Sequence, residues 1–171
     1  MIYATGFFLD SNQEAFGKVM THASANNIAV GINFSATFLI EIYLDQVKEN
    51  LKHADYVFCN EDESSLFAEK MGLKAEDRQG VAKIVAEWEK SNTKRPRVVI
   101  MTQGPEPTIV ATSKGNGEAA TVELIAVEPV AKESIVDTNG CGDSFVAAFN
   151  AAIVRGKTVT EAVNEGNKLG G

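Results

Sequence analysis

The residues best suited to chemistry are gathered in one short stretch, Ile135-Val136-Asp137-Thr138-Asn139-Gly140-Cys141-Gly142-Asp143-Ser144-Phe145. Two apolar residues lead into a loop with paired glycines, and the loop runs directly into a helical series of small and apolar residues. Gly140 and Gly142 let main-chain N–H groups approach a ligand with no Cβ in the way. Joined to the free amides of a first helical turn, those N–H groups would form an anion site. Asp143 would sit where a helix terminus favours negative charge, by about 0.3–1 kcal/mol. A carboxylate kept ionised beside such a site suits phosphoryl transfer, because the acid can accept a hydroxyl proton while the amides hold the phosphoryl group. Asp143 is the candidate catalytic base. The same residues also suit an ordinary strand-to-helix turn, and spacing alone does not separate the two.

The elements that must position this stretch follow from hydrophobic periodicity. Met1 to Phe8 reads as a strand, with Asp10, Ser11 and Asn12 as turn and cap residues. A helix follows over Glu14 to Asn26, with Phe16, Val19, Met20 and Ala23 on one face. Asn27 to Asn33 reads as a second strand, and an irregular Phe34 to Ile40 leads to a helix near Leu44 to His53. Asp55 to Cys59 is a third strand. Asn60 caps a helix over Glu61 to Met71, with Glu63 at capping-box spacing. Gln79 to Lys90 is the next helix, placing Trp88 on the core face with Val81, Ile84 and Val85. Val98 to Met101 is a fourth strand. Thr108 to Thr112 and Ala120 to Val127 are strands around Asn116-Gly117, a hairpin signal. Gly142 to Arg155 and Thr160 to Leu169 close the chain as helices. Strands alternating with helices imply parallel βαβ units. The expected fold class is therefore α/β, a three-layer α/β/α sandwich with a mostly parallel central sheet, in a single domain over 1–171.

Composition narrows the function classes. The chain has 171 residues, 44% hydrophobic and 23% charged, with a formal charge of −7. Nucleic-acid and anionic-membrane surfaces need clustered Lys and Arg. Here only Lys94, Arg95 and Arg97 cluster, in an expected loop. No apolar run approaches the ~20 residues of a membrane helix. The two cysteines, Cys59 and Cys141, and two histidines, His22 and His53, give neither a disulfide framework nor zinc spacing. A reduced, cytoplasmic setting is expected, with the nucleus a further possibility.

The run Asp137 to Phe145, DTNGCGDSF, closely resembles the DTxGAGD signature of the ribokinase/PfkB carbohydrate kinase family, and its Thr-Asn pair resembles the adenosine kinase form. Cys141 stands where that family has alanine. Asn60-Glu61-Asp62-Glu63 is similar to the family's Asn-x-x-Glu motif. The resemblance implies a ribokinase-like fold, Asp143 as catalytic base, and an anion hole of Gly140, Cys141 and Gly142. It also implies that Asn60 and Glu63 organise Mg²⁺ and phosphates, mostly through water. Thr102-Gln103-Gly104 resembles a nucleotide-side loop, and Asn167 lies where relatives border the ATP base. Asn33 to Phe38 resembles a segment flanking the nucleoside, and Gly6-Phe7-Phe8-Leu9 one whose aromatic stacks on adenosine. Phe7, Phe8, Phe38 and Asn139 are thus candidate substrate contacts. Alternation along a strand would aim at most one of Phe7 and Phe8 at a ligand.

The implied activity is transfer of the γ-phosphoryl group of ATP (or GTP) to the adenosine 5′-hydroxyl, giving AMP in purine salvage. A PfkB sugar kinase or a non-catalytic nucleotide-binding module remains open. The resemblance spans the later portion of the family's fold. Both chain ends are abrupt, which suggests a fragment or shortened gene product lacking the lid region, inactive or weakly active alone and able to self-associate, with a monomeric full-length form. Adenosine and nucleotide are the expected partners, with no nucleic acid and no membrane.

Overall fold

The computed structural model describes every residue except Asn116, Gly117, Pro129, Lys132, Ser134 and Gly171. Six strands form one sheet in chain order: β1 (Ile2–Thr5), β2 (Val30–Asn33), β3 (Tyr56–Asn60), β4 (Val98–Gln103), β5 (Glu106–Thr112) and β6 (Thr121–Ile125). The class is α/β and the sheet mostly parallel. β1 to β3 run parallel, with Thr5 opposite Asn33 and Asn33 opposite Phe58, so their carboxyl ends lie side by side. Among the described residues seven α-helices connect and follow them: α1 (Gly6–Ser11), α2 (Gln13–Ala25), α3 (Thr37–Leu51), α4 (Glu61–Lys70), α5 (Arg78–Ala86), α6 (Cys141–Val154) and α7 (Val159–Gly170). The chain divides into two compact units, one of Met1–Met101 with Ile109–Glu123, the other of Thr102–Thr108 with the chain from Leu124 onward.

The first unit has a dry core built from alternate strand residues and helix faces. Val30 and Ile32 of β2, Val57 and Cys59 of β3 and Val99 and Met101 of β4 are buried with Phe16, Met20, Leu51 and Phe67. Burial of this many branched side chains, at ~25 cal/mol per Å² removed from water, is the main force closing the unit. Burial also pushes the Cys59 thiol well up, which leaves it an inert core residue. In the second unit, Phe145, Val146, Phe149 and Ala152 of α6 and Ala162 and Val163 of α7 are buried.

Several elements depart from their expected bounds, each for a local reason. β1 ends at Thr5, and Phe7 and Phe8 lie on α1 rather than in a strand. The Gly6 N–H donates to Ser35 Oγ at 2.9 Å instead of continuing a ladder, which turns the chain out of the sheet. α3 begins at Thr37, not near Leu44, with non-helical angles at Tyr43 (φ −117°, ψ 30°). The Tyr43 hydroxyl donates to Asp10 Oδ1 at 2.7 Å. α5 stops at Ala86, so Trp88 lies beyond its helix, half-buried with its ring 6.3 Å from Phe67; Ile84 is exposed. β4 and β5 are joined through Gly104-Pro105, a turn that escaped the sequence reading although both residues mark turns. The Asn116-Gly117 hairpin signal lies outside the described residues.

The largest departure is Arg97, expected in a basic loop and found with no solvent exposure. Its Nε donates to the Ala54 carbonyl (3.1 Å), and its terminal nitrogens donate to the carbonyls of Leu51 (2.5 Å), Val85 (3.1 Å), Trp88 (2.6 Å) and Glu89 (3.1 Å). Leu51 and Val85 are last-turn residues of α3 and α5, whose carbonyls have no partner within a helix. Burial lowers the Arg97 pKa to about 10, so it is still charged at neutral pH. Beside it the buried Asp55 accepts from the Val30 N–H (2.8 Å) and pairs with Lys90 (2.6 Å) and Arg95 (3.4 Å). Arg97→Lys keeps the charge but has three donors for five carbonyls. With each unsatisfied buried carbonyl costing ~1–3 kcal/mol, the variant should lose about 2–5 kcal/mol, read as a lower urea midpoint. An unchanged midpoint would show that the fork carries no stability.

Candidate functional site

In the second unit the glycine loop is built by two nested turns. The Asn139 N–H donates to Asp137 Oδ1 at 2.9 Å, and the Cys141 N–H donates to the Thr138 carbonyl at 3.2 Å. Gly140 lies at φ 80°, ψ 1°, the third position of the turn that this bond closes, in the left-handed region where a side chain is strained. It is also the N-cap of α6, without any side-chain cap. The Ser144 N–H begins the helical ladder by donating to the Gly140 carbonyl at 2.8 Å. Between these bonds, the N–H groups of Gly142 and Asp143 have no protein acceptor among the described residues. The donors left open in this turn are therefore those of Gly140, Gly142 and Asp143, while Cys141, expected in the anion hole, has its N–H engaged by Thr138. Asp143 is exposed and in the first turn of α6, and its carboxylate makes no hydrogen bond or ion pair among the described residues. Three bare amides and one carboxylate unpaired among the described residues thus gather at the positive end of a 14-residue helix.

That turn is backed by α7. A Cβ at Gly166 would lie 2.7 Å from Phe145 Cε2, and one at Gly170 would lie 2.7 Å from the Cys141 carbonyl oxygen. Glycines four residues apart on α7 therefore let it approach the start of α6 with nothing between. This pair is legible as a small-residue spacing and was missed in the sequence. Thr102 and Gln103 lie within β4 and Gly104 in the turn after it. The Gln103 amide donates to the Pro107 carbonyl at 2.6 Å, bracing that turn. Asn167 is half-buried and structural: its Oδ1 accepts from the Thr108 hydroxyl at 2.9 Å and its amide donates to the Ala126 carbonyl at 3.4 Å.

The other candidates lie in the first unit, at the carboxyl ends of β1, β2 and β3. Asn60 and Glu63 form a complete capping box: the Glu63 N–H donates to Asn60 Oδ1 (2.8 Å) and the Asn60 N–H donates to Glu63 Oε2 (3.0 Å). Glu63 is 5% exposed. Burial, the largest influence, raises its pKa to about 7, opposed by the Asn60 N–H and helped by Glu61 and Asp62. Among the described residues no three His, Cys, Asp or Glu gather as a metal cage. Since Asn60 Oδ1 and Glu63 Oε2 are already engaged, the pair suits water-mediated contact with a hydrated ion such as Mg²⁺, which sheds its water reluctantly. The two phenylalanines differ. Phe8 packs edge-on against Phe16 (5.6 Å) beside the core, whereas Phe7 is 50% exposed and faces Phe38, 45% exposed, at 6.1 Å. Ser35, unmarked in the sequence reading, holds this corner at φ 66°, accepting from Gly6 while its own N–H donates to Asn33 Oδ1 at 3.0 Å.

The pfkB family carbohydrate kinase model matches residues 1–171. Adenosine kinase of Schizosaccharomyces pombe is 38% identical over 170 residues, 99% of this chain and 48% of that protein. Adenosine kinase 1 of Arabidopsis thaliana is 36% identical over 164 residues, 96% of this chain and 46% of its own length. Among solved structures, Anopheles gambiae adenosine kinase in complex with P1,P4-di(adenosine-5) tetraphosphate superposes with a TM-score of 0.92 at 32% identity, covering 98% of this chain and 48% of that one. The Schistosoma mansoni adenosine kinase in complex with 2-fluoroadenosine gives 0.89 at 31% identity, with 98% and 48% covered. The chain spans about half the length of the curated relatives it matches.

The raised Glu63 carboxyl makes stability depend on pH with a definite sign. Unfolded, it loses its proton near 4.5; folded, it holds the proton until about 7. Between these values the folded chain binds more protons, so stability falls as pH rises, by at most about 3 kcal/mol across the window. Glu63→Gln should flatten that part of the profile in urea titrations at several pH values. An identical slope in the variant would mean that Glu63 titrates normally.

Proposed function

The chain belongs to the pfkB family of carbohydrate kinases, and from that membership we propose that it is the nucleotide-binding, catalytic portion of an ATP-dependent adenosine kinase. The substrates are adenosine and ATP (or GTP), and the product is AMP, formed in purine salvage. The adenosine kinases of other organisms that align along 96–99% of the chain support adenosine over a sugar as acceptor. One observation carries the chemistry: the open amides of Gly142 and Asp143 beside the unpaired Asp143 carboxylate, in one turn at the start of α6.

In this reading the Asp143 carboxylate accepts the proton of the adenosine 5′-hydroxyl as that oxygen attacks the γ-phosphorus. The Gly142 and Asp143 amides, with the dipole of α6 behind them, hold the charge on the phosphoryl oxygens. Gly140 shapes the turn that presents them, and Cys141, Thr102, Gln103 and Gly104 border the nucleotide. Asn167 supports that region through its bonds to Thr108 and Ala126 rather than by contact with a base. The exposed Phe7 and Phe38 present aromatic faces for the adenine ring, worth ~1–3 kcal/mol per stacked base. Phe8 is committed to packing. Asn139, with a free side chain, contacts the acceptor. Mg²⁺, when bound, neutralises phosphate charge, and Asn60 and Glu63 hold its water shell. No helix of the described residues is long and apolar enough to cross a membrane, and the reading places the enzyme in the cytoplasm, acting on free metabolites.

Titration calorimetry with ATP·Mg²⁺ tests the anion site. Gly142→Val should abolish binding by covering the amides. Asp143→Asn should bind ATP as tightly as the unmodified protein yet lower AMP formation from adenosine by ~10²–10⁴-fold, the usual contribution of a general base. Equal ATP affinity in the valine variant would remove the anion hole, and faster phosphorylation of ribose than of adenosine would remove the acceptor assignment.

A further inference from the structure

Asn139 is one of two asparagines in the chain followed by glycine, the other being Asn116, outside the described residues. We propose that Asn139-Gly140 is a self-modification site, at which the Gly140 nitrogen closes on the Asn139 side chain and converts its amide to a carboxylate beside the open amides of α6.

The turn supplies what the reaction needs. The nucleophile is the Gly140 main-chain nitrogen, whose N–H makes no hydrogen bond among the described residues and can lose its proton to a solvent base. The electrophile is Cγ of Asn139, an exposed residue whose side-chain amide likewise makes no hydrogen bond among the described residues. Attack requires rotation of the peptide joining the two residues. Among the described residues one main-chain bond spans that peptide, the 3.2 Å contact from the Cys141 N–H to the Thr138 carbonyl, so little holds it in place. A Cβ built on Gly140 would meet no heavy atom within 4 Å, so the peptide turns in open space. Asparagines held in helices differ: Asn50 is 7% exposed and its amide donates to the Gln46 carbonyl at 2.7 Å.

The step balances with water as the only co-reactant. The Gly140 nitrogen forms a bond to Asn139 Cγ, the Cγ–Nδ2 bond breaks, and ammonia leaves with the proton it gains from solvent. Water then opens the five-membered imide at either carbonyl. One opening yields aspartate; the other yields isoaspartate, with the main chain rerouted through the side chain. Both add one negative charge, taking the formal total from −7 to −8. The new charge stands three residues before Gly142, in a loop whose open N–H groups attract anions, and opposes the charge they would hold. The conversion rests on the turn alone; its effect on ligand binding rests on the function proposed above.

The test ages the purified chain at mildly alkaline pH and physiological temperature. Peptide mapping by mass spectrometry locates the products, and ATP·Mg²⁺ calorimetry follows affinity. Asn139 should convert well ahead of every asparagine not followed by glycine, and affinity should fall in step, on the order of tenfold for fully converted protein. Asn139→Gln, whose longer side chain would have to close a six-membered ring, should yield no acidic form at this position. Asn139→Asp in freshly made protein should reproduce the affinity loss without ageing. Conversion at Asn139 as slow as at Asn50 overturns the site. Conversion with undiminished ATP affinity overturns its consequence. Fresh chain that fails to bind ATP counts against the anion hole instead, and the mass readout still decides the conversion.

Discussion

A guanidinium sealed from water and shared among five main-chain oxygens is the interaction on which the first unit is organised. Arg97 collects the carbonyls left over where α3 and α5 end, and it does so at the start of β4. Without those donors, several polar groups would be buried unpaired, a cost the dry core around them could not offset cheaply. Asp55 works alongside by accepting from the first amide of β2 and neutralising Lys90 and Arg95. The amino ends of the central strands are thereby pinned by charge, and their carboxyl ends are released to carry polar and aromatic groups.

That polarity explains where the candidate groups of this unit are found. Phe7 follows β1, Ser35 and Phe38 follow β2, and Asn60 and Glu63 close β3 and open α4. In open α/β sheets ligands meet the carboxyl ends of strands, where the chain turns toward the amino ends of the helices that follow. The second unit uses a different device. Its amides are bare because Gly140 turns the chain with no capping side chain, and α7 holds the first turn of α6 through two glycine contacts. One unit orders its edge by charge and the other by the absence of side chains.

Periodicity and turn chemistry made the α/β alternation legible, along with the helix faces of Phe16 and Val81, the Asn60 capping box, and the loop-to-helix step at Gly140. What escaped are long-range effects. The end of β1 at Thr5 is set by a hydroxyl 29 residues away, at Ser35, and no local signal in Gly6-Phe7-Phe8 announces it. The burial of Arg97 depends on two helix ends separated by more than 30 residues in sequence, so one member of a basic cluster expected in a loop proved to be interior. The bonding of Asn167 was hidden because its partners, Thr108 and Ala126, are 59 and 41 residues distant. At the glycine loop, letters alone could not tell which amides stay open, since that turns on one bond from Cys141 to Thr138.

The placement of the single tryptophan has an optical consequence. Trp88 leans on Phe67, and its carbonyl is tied to Arg97. Phe67 in turn packs on Phe34, the residue after β2, with ring centroids 5.4 Å apart. Emission from this one indole therefore reports whether the buried charge assembly is intact, and its change in denaturant gauges the unfolding of the first unit.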